Sequence, residues 1–175
     1  MSVLSKPTLL KRLHELIEIP NPQLVNSASI DFRVGSTIQI EIPNAFGTVW
    51  SLPTDIRFGY DERHPYWIRP GEFVLVATME SFKVPLDLVM EMRLKSSRAR
   101  EGYDHSLAFW FDPGWVGVGT MEIKNNSQYS SIPLYPGLKI GQVIFHTLDI
   151  ALTPEEAYAG KYQGATTVQA SKDKE

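Results

Sequence analysis

Three Pro-Gly pairs, Pro70-Gly71, Pro113-Gly114 and Pro136-Gly137, constrain the fold of this chain more than any other feature. Such a pair ends a helix and sets a tight turn, because proline fixes φ and glycine accepts the left-handed region. Short apolar runs follow or flank these turns: Glu72–Thr78, Leu107–Phe111, Gly117–Ile123, Ser131–Leu134 and Gln142–Leu148. Upstream, Thr37–Ile42 alternates apolar and polar residues with period two, as a half-buried strand does. Closely spaced short strands of this kind point to a mainly β sandwich or barrel. One segment speaks for helix. Residues 5–19 place Leu9, Leu10, Leu13, Leu16 and Ile17 at helical spacing, with Ser5 as cap and Pro20 and Pro22 as the stop. His14 on that helix is expected at the surface, and residues 44–66, rich in Gly, Pro, Asp and aromatics, as an irregular connection.

At 175 residues the chain is expected to form one domain over 1–163, including the N-terminal helix, with a flexible tail at 164–175 where apolar content falls away. The net charge of −3, with basic residues scattered, does not build the electropositive footprint of a nucleic-acid binder. Cysteine is absent, which removes disulfides, thiol nucleophiles and thiolate zinc sites together, and with them the Cys pair that zinc-dependent deaminases require. The four histidines (His14, His64, His105, His146) form no ligand pair, so a metal held by side chains is not expected. No G-x-S-x-G elbow, Walker loop or H-E-x-x-H pair is present. The start, MSVLSKPTLLKRL, lacks signal-peptide features, and no apolar run has membrane-spanning length; a cytoplasmic protein with no membrane partner is the expectation.

Chemistry concentrates between Glu91 and Asn125. Lys95, Ser96, Ser97 and Arg100 put two cations and two hydroxyls within six residues, which suits a phosphate chain, although a solvated basic turn has the same composition. Period two places Glu122 on one face of its strand with Val118 and Thr120; that face is either wet or holds a carboxylate for a chemical reason. Asp112, before Pro113-Gly114, reads as a turn initiator or a ligand group.

The order of the short motifs resembles the dCTP deaminase branch of the dUTPase superfamily. They run Ser29-Ile-Asp-Phe-Arg-Val-Gly35, Arg69-Pro-Gly-Glu-Phe73, Lys95-Ser-Ser97, Phe111-Asp-Pro-Gly-Trp115, Thr120-Met-Glu-Ile123, Tyr135–Gln142 and Gly160-Lys-Tyr-Gln-Gly164. The resemblance covers roughly residues 25–164. It implies a distorted, jelly-roll-like β-barrel, a homotrimer with sites between subunits, and hydrolytic deamination of dCTP to dUTP and ammonia, with dUMP and diphosphate as the products of a continuing reaction. Glu122 would be the general base and proton shuttle, held by Arg100; Ser96 and the backbone of Ala108 would position the water. Lys95, Ser96 and Ser97 would take the phosphates, with Mg²⁺ carried on the triphosphate and no zinc. Asp112 would meet the deoxyribose 3′-hydroxyl, Trp115 would wall the sugar, Thr120 would lie along the pocket, and Tyr158 and Lys161 would close over the phosphates.

The chain also departs from the family pattern. The segment between Ser97 and Asp112 is one residue short, Leu107 replaces a threonine, Arg98 replaces an apolar residue, and Ala165 stands where a glutamine is usual. The alternatives these departures leave open are a dUTPase without deaminase activity, a deaminase of a modified or less phosphorylated deoxycytidine nucleotide, and a catalytically silent nucleotide-binding trimer.

Overall fold

The computed structural model describes residues 2–41, 54–57, 59–105 and 108–172. Among these residues are ten strands: β1 (Ile30–Glu41), β2 (Thr54–Arg57), β3 (Tyr66–Ile68), β4 (Phe73–Lys83), β5 (Leu88–Leu94), β6 (Tyr103–His105), β7 (Trp110–Phe111), β8 (Val116–Asn125), β9 (Ile132–Leu134) and β10 (Lys139–Thr147). Two helices accompany them, α1 (Lys6–Leu16) and α2 (Ser96–Arg100). Eight strands form one antiparallel sheet in the order β6-β8-β4-β1-β10-β5-β7, with β2 beside β1; β3 and β9 pair separately. The mainly β architecture expected from the sequence is the one observed.

The sheet curls because β1 changes partners along its length. Ile30–Arg33 pair with β10, whereas Ile38–Ile40 pair with β4 and β2, and a register shift lies between Val34 and Ile38. β4 carries a second irregularity between Ala77 and Ser81, where Thr78 Oγ1 donates to Glu80 O and accepts from Gly119 N. Phe32, Phe82 and Phe145 are fully buried in the core, and Leu9, Leu13 and Leu16 of α1 are buried with them. Arg12, beside that buried stripe of α1, donates two hydrogen bonds to Asp87 at 2.6 and 2.8 Å.

α1 ends three residues before its expected limit of 19. Ile17 is drawn into an antiparallel bridge with Phe82 and Glu18 N donates to Ser81 O, so tertiary pairing stops the helix before Pro20 does. Ser5 occupies the N-cap, but its side chain makes no capping hydrogen bond.

β1 absorbs the expected Thr37–Ile42 strand, and β4, β8, β9 and β10 take in the other expected runs. The Leu107–Phe111 run contributes only Trp110–Phe111. Four residues or segments of the sequence reading lie outside the described residues: Ile42, positions 44–53 and 58 of the connection, Ser106-Leu107, and 173–175 of the tail. Within 164–172 the chain runs along β8. Gly164 N donates to Val116 O, Val118 N to Ala165 O and Gln169 N to Thr120 Oγ1, and Val168 is buried.

Candidate active site

β8 sits between β4 and β6, and its burial alternates. Gly117, Gly119, Met121, Ile123 and Asn125 face the core, so Val118, Thr120 and Glu122 share the opposite face. Register aligns Leu75 with Glu122 and Ala77 with Thr120 across β4, and aligns Gln39 of β1 with Leu75. Glu122 therefore stands in a cross-strand row with Leu75 and Gln39. Its Oε2 is buried without a hydrogen-bond partner among the described residues. Burial pushes its carboxyl pKa above the ordinary value, an effect its own backbone N–H partly offsets.

His105, on β6, is the cross-strand neighbour of Ile123. Its ring lies near the Glu122 backbone without hydrogen-bond geometry, and both nitrogens are buried and unpartnered among the described residues. Burial holds its pKa below the usual histidine range, so the ring is neutral. It packs 6.1 Å from the Phe109 ring, over which the Arg93 guanidinium sits at 4.3 Å. His105 is not among the site residues expected from the sequence, because a lone histidine carries no spacing signal.

α2 carries the phosphate-type residues. Its start is fixed from below: Lys95 Nζ donates to Asp31 Oδ1 at 2.6 Å, and that carboxylate, 5% exposed, also accepts from Asn26 Nδ2 at 2.7 Å and lies 3.9 Å from Lys139 Nζ. Lys95 N donates to Ile140 O, and Ala99 N to Lys95 O closes the helical turn. Ser96, Ser97 and Arg100 project from it exposed, and Arg100 forms no ion pair among the described residues. Arg98 turns inward instead, its Nη1 2.6 Å from Glu101 Oε2 and its Nε buried without a partner among the described residues, beside the Tyr103 phenol that donates to Pro133 O.

The turn between β7 and β8 gathers a second group. Asp112 is exposed; its Oδ1 accepts from Trp110 Nε1 at 3.2 Å and its carbonyl accepts from Trp115 N. Gly114 has φ of 89°, and a Cβ there would meet the Cβ of Ala157 at 2.7 Å, so this turn requires glycine. Trp115 is buried, 4% exposed, with its ring 4.6 Å from that of Phe111. Tyr158 N donates to Pro113 O and Gln163 Nε2 to Gly114 O, which seats the C-terminal segment over the turn; Lys161 is exposed beside the Tyr162 ring. Ala108 is exposed just before this region.

Two groups of the expected residues are thus assembled: Thr120 with Glu122, and Asp112 with Trp115 and Tyr158. The third, on α2, is not joined to Glu122 among the described residues: burial and its own backbone N–H perturb that carboxyl, and no described cation pairs with it. A cleft bounded by Gly35, Ser36, Thr37, Ala77, Met79 and Thr167 contains no titratable residue and is not the candidate. Among the described residues no group of three or more His, Asp or Glu could hold a metal ion.

The family model described as dCTP deaminase-like matches residues 3–148. The chain belongs to the dCTP deaminase-like family. Among curated members of it, the chain is 34% identical to the dUMP-forming dCTP deaminase of Dictyoglomus turgidum, over 97% of this chain and 94% of that one. It is 32% identical to the protein of the same name from Methanosphaera stadtmanae, over 100% and 95%. The 2′-deoxycytidine 5′-triphosphate deaminase structure from Agrobacterium tumefaciens matches with a TM-score of 0.63 at 19% identity, over 83% of this chain and 48% of that one, a likeness of fold. No helix among the described residues is long and apolar enough to cross a membrane.

Proposed function

We propose that this protein hydrolyses dCTP to dUTP and ammonia and carries the product on to dUMP and diphosphate. The observation that carries the reading is Glu122: a half-buried carboxylate on the open face of β8 whose Oε2 is buried without a partner among the described residues, in a chain whose relatives, matched over nearly their whole length, bear the name of that reaction. A residue with no structural partner, kept where desolvation costs free energy, is a functional candidate.

Deamination adds water to C4 of the cytosine ring, protonates N3 and expels ammonia. Glu122 takes a proton from the attacking water and delivers it to N3, where it stays, and then carries the proton of the new C4 hydroxyl to the leaving amino group, so that C4=O forms as ammonia departs. A carboxyl whose pKa is raised by burial suits this shuttle, since it must hold the proton for part of the cycle. Thr120 and the backbone of Ala108 line the ring and water positions. Asp112 accepts from the deoxyribose 3′-hydroxyl and orients the second water for attack at phosphorus. Trp115 presents the sugar with a rigid floor. Ser96, Ser97 and Lys95 receive the phosphates and Tyr158 and Lys161 close over them; Mg²⁺ carried on the triphosphate would supply the remaining neutralisation.

The site is completed by assembly. Arg100 is exposed and unpaired among the described residues, and no cation among them pairs with Glu122; in this reading the two meet between copies in a homotrimer. A cytoplasmic location fits this nucleotide chemistry. Replacing Glu122 by alanine separates the steps: ammonia release from dCTP is lost, and diphosphate release from dUTP persists. Unchanged ammonia release would remove Glu122 from its role.

A further inference from the structure

Gln39 occupies the same cross-strand row as Glu122, two strands away, with Leu75 between them. Directly opposed residues of antiparallel strands point to one face, so the carboxamide and the carboxylate stand on the same side with their Cα atoms about 10 Å apart, two ladder spacings. Gln39 is 9% exposed, its Oε1 is buried without a partner, and its side chain makes no hydrogen bond among the described residues. Glu122 Oε2 is in the same condition. An apolar side chain would fill the Gln39 position without leaving a buried acceptor unsatisfied, so packing does not account for a glutamine there. Two unpartnered buried acceptors thus flank the single side chain of Leu75 on one face of the sheet.

We infer that Gln39 is a positioning residue for Glu122, the two side chains being joined over Leu75 by a water that donates one hydrogen to Gln39 Oε1 and the other to Glu122 Oε2. A site with two acceptors, and with the Gln39 amide as a further donor, has the number of polar partners an ordered water needs. The bridge fixes the rotamer of Glu122 and stabilises its charged form, which is the form that accepts a proton from the attacking water. This rests on the reading of Glu122 as the general base. The titratable groups around Glu122 are His105, whose ring lies near the Glu122 backbone, and Lys124 and Asp104 in the next row of the same face; none forms an ion pair with it among the described residues. Arg100 of another copy acts on the carboxylate in both the parent protein and a Gln39 variant, so it cancels in their comparison.

The test is Gln39→Met, which keeps length and volume and removes both polar atoms. The Glu122 side-chain carboxyl is followed by carbon-13 NMR across a pH titration in parent and variant, and kcat and KM for ammonia release from dCTP are measured beside it. The variant's Glu122 titrates at higher pH than the parent's, the acid limb of kcat moves the same way, and kcat falls about tenfold, part of the 10²–10⁴ a positioned base contributes, with KM within about twofold. An identical Glu122 titration with unchanged kcat overturns the inference, because a packing role moves neither. If Gln39→Met does not fold, Gln39→Asn, which withdraws the carboxamide by one methylene, is expected to shift the titration in the same direction, and no shift there overturns the inference equally. A parent protein that releases no ammonia from dCTP refutes the proposed function, while the NMR comparison still decides the role of Gln39.

Discussion

Asp31→Asn isolates the anchor beneath α2. The substitution keeps shape and removes charge from a carboxylate that is 5% exposed and receives Lys95 Nζ at 2.6 Å and Asn26 Nδ2 at 2.7 Å. Breaking a fully buried ion pair costs about 3–5 kcal/mol. The cost here is smaller, because the side chains of Lys95 and Lys139 are 28% and 52% exposed and regain hydration when released. About 2 kcal/mol remains, and for a domain of this size each 1 kcal/mol lowers Tm by about 2–4 °C, so a fall of about 4–8 °C is expected. Urea denaturation of Asp31→Asn, Lys95→Met and the double variant completes the cycle, with a coupling of about 1.5 kcal/mol between the two sites. Since Lys95 begins the helix that presents Ser96 and Ser97, KM for dCTP rises in Asp31→Asn more than kcat falls. A variant within about 0.5 kcal/mol of the parent, the range of an ordinary surface substitution, or strictly additive singles, would refute the anchor.

Three further outcomes follow from the packing and the burial. Gly141→Ala places a Cβ 2.8 Å from Arg93 O and inside contact distance of the Phe32 ring, so it is expected to lose about 1–3 kcal/mol in denaturant titration. Ending the chain after Gln163 removes the burial of Val168 and the hydrogen bonds to Val116, Val118 and Thr120; a loss of about 2 kcal/mol is expected by thermal denaturation. The pKa of His105 is depressed in the fold, so the unfolded chain binds the proton more tightly and stability drops as pH falls below about 6.5. His105→Leu is expected to flatten that part of the stability–pH curve measured by urea denaturation.

Periodicity exposed the parts of the fold whose two faces differ. α1 shows Leu9, Leu13 and Leu16 at helical spacing, and β8 shows Thr120 and Glu122 on the face opposite Met121 and Ile123. β5 escaped because its faces do not differ: Leu88, Val89 and Met90 are all buried between β10 and β7, and no alternation remains to be read. α2 escaped because it buries no apolar residue, so its five residues carry no apolar period. The ends of α1 depended on a bridge to Phe82 that no local signal reports. Within the site, Gln39 was hidden by the rule that made β1 legible. Alternation in Thr37–Ile42 assigns the glutamine to the wet face, whereas the structure buries it beside the row of Glu122. Lys95 was legible as a cation near phosphate-type donors, but its pairing with Asp31, 64 residues away in sequence, was not.

The measurement closest to the central claim is a time course of the protein with dCTP and Mg²⁺, following ammonia and the separated nucleotides together. The account predicts ammonia release accompanied by dUMP and diphosphate, with dUTP at most transient. Ammonia with stable dUTP would contradict the second step alone; dCTP left intact at enzyme concentrations that release diphosphate from dUTP would contradict the claim that Glu122 serves deamination.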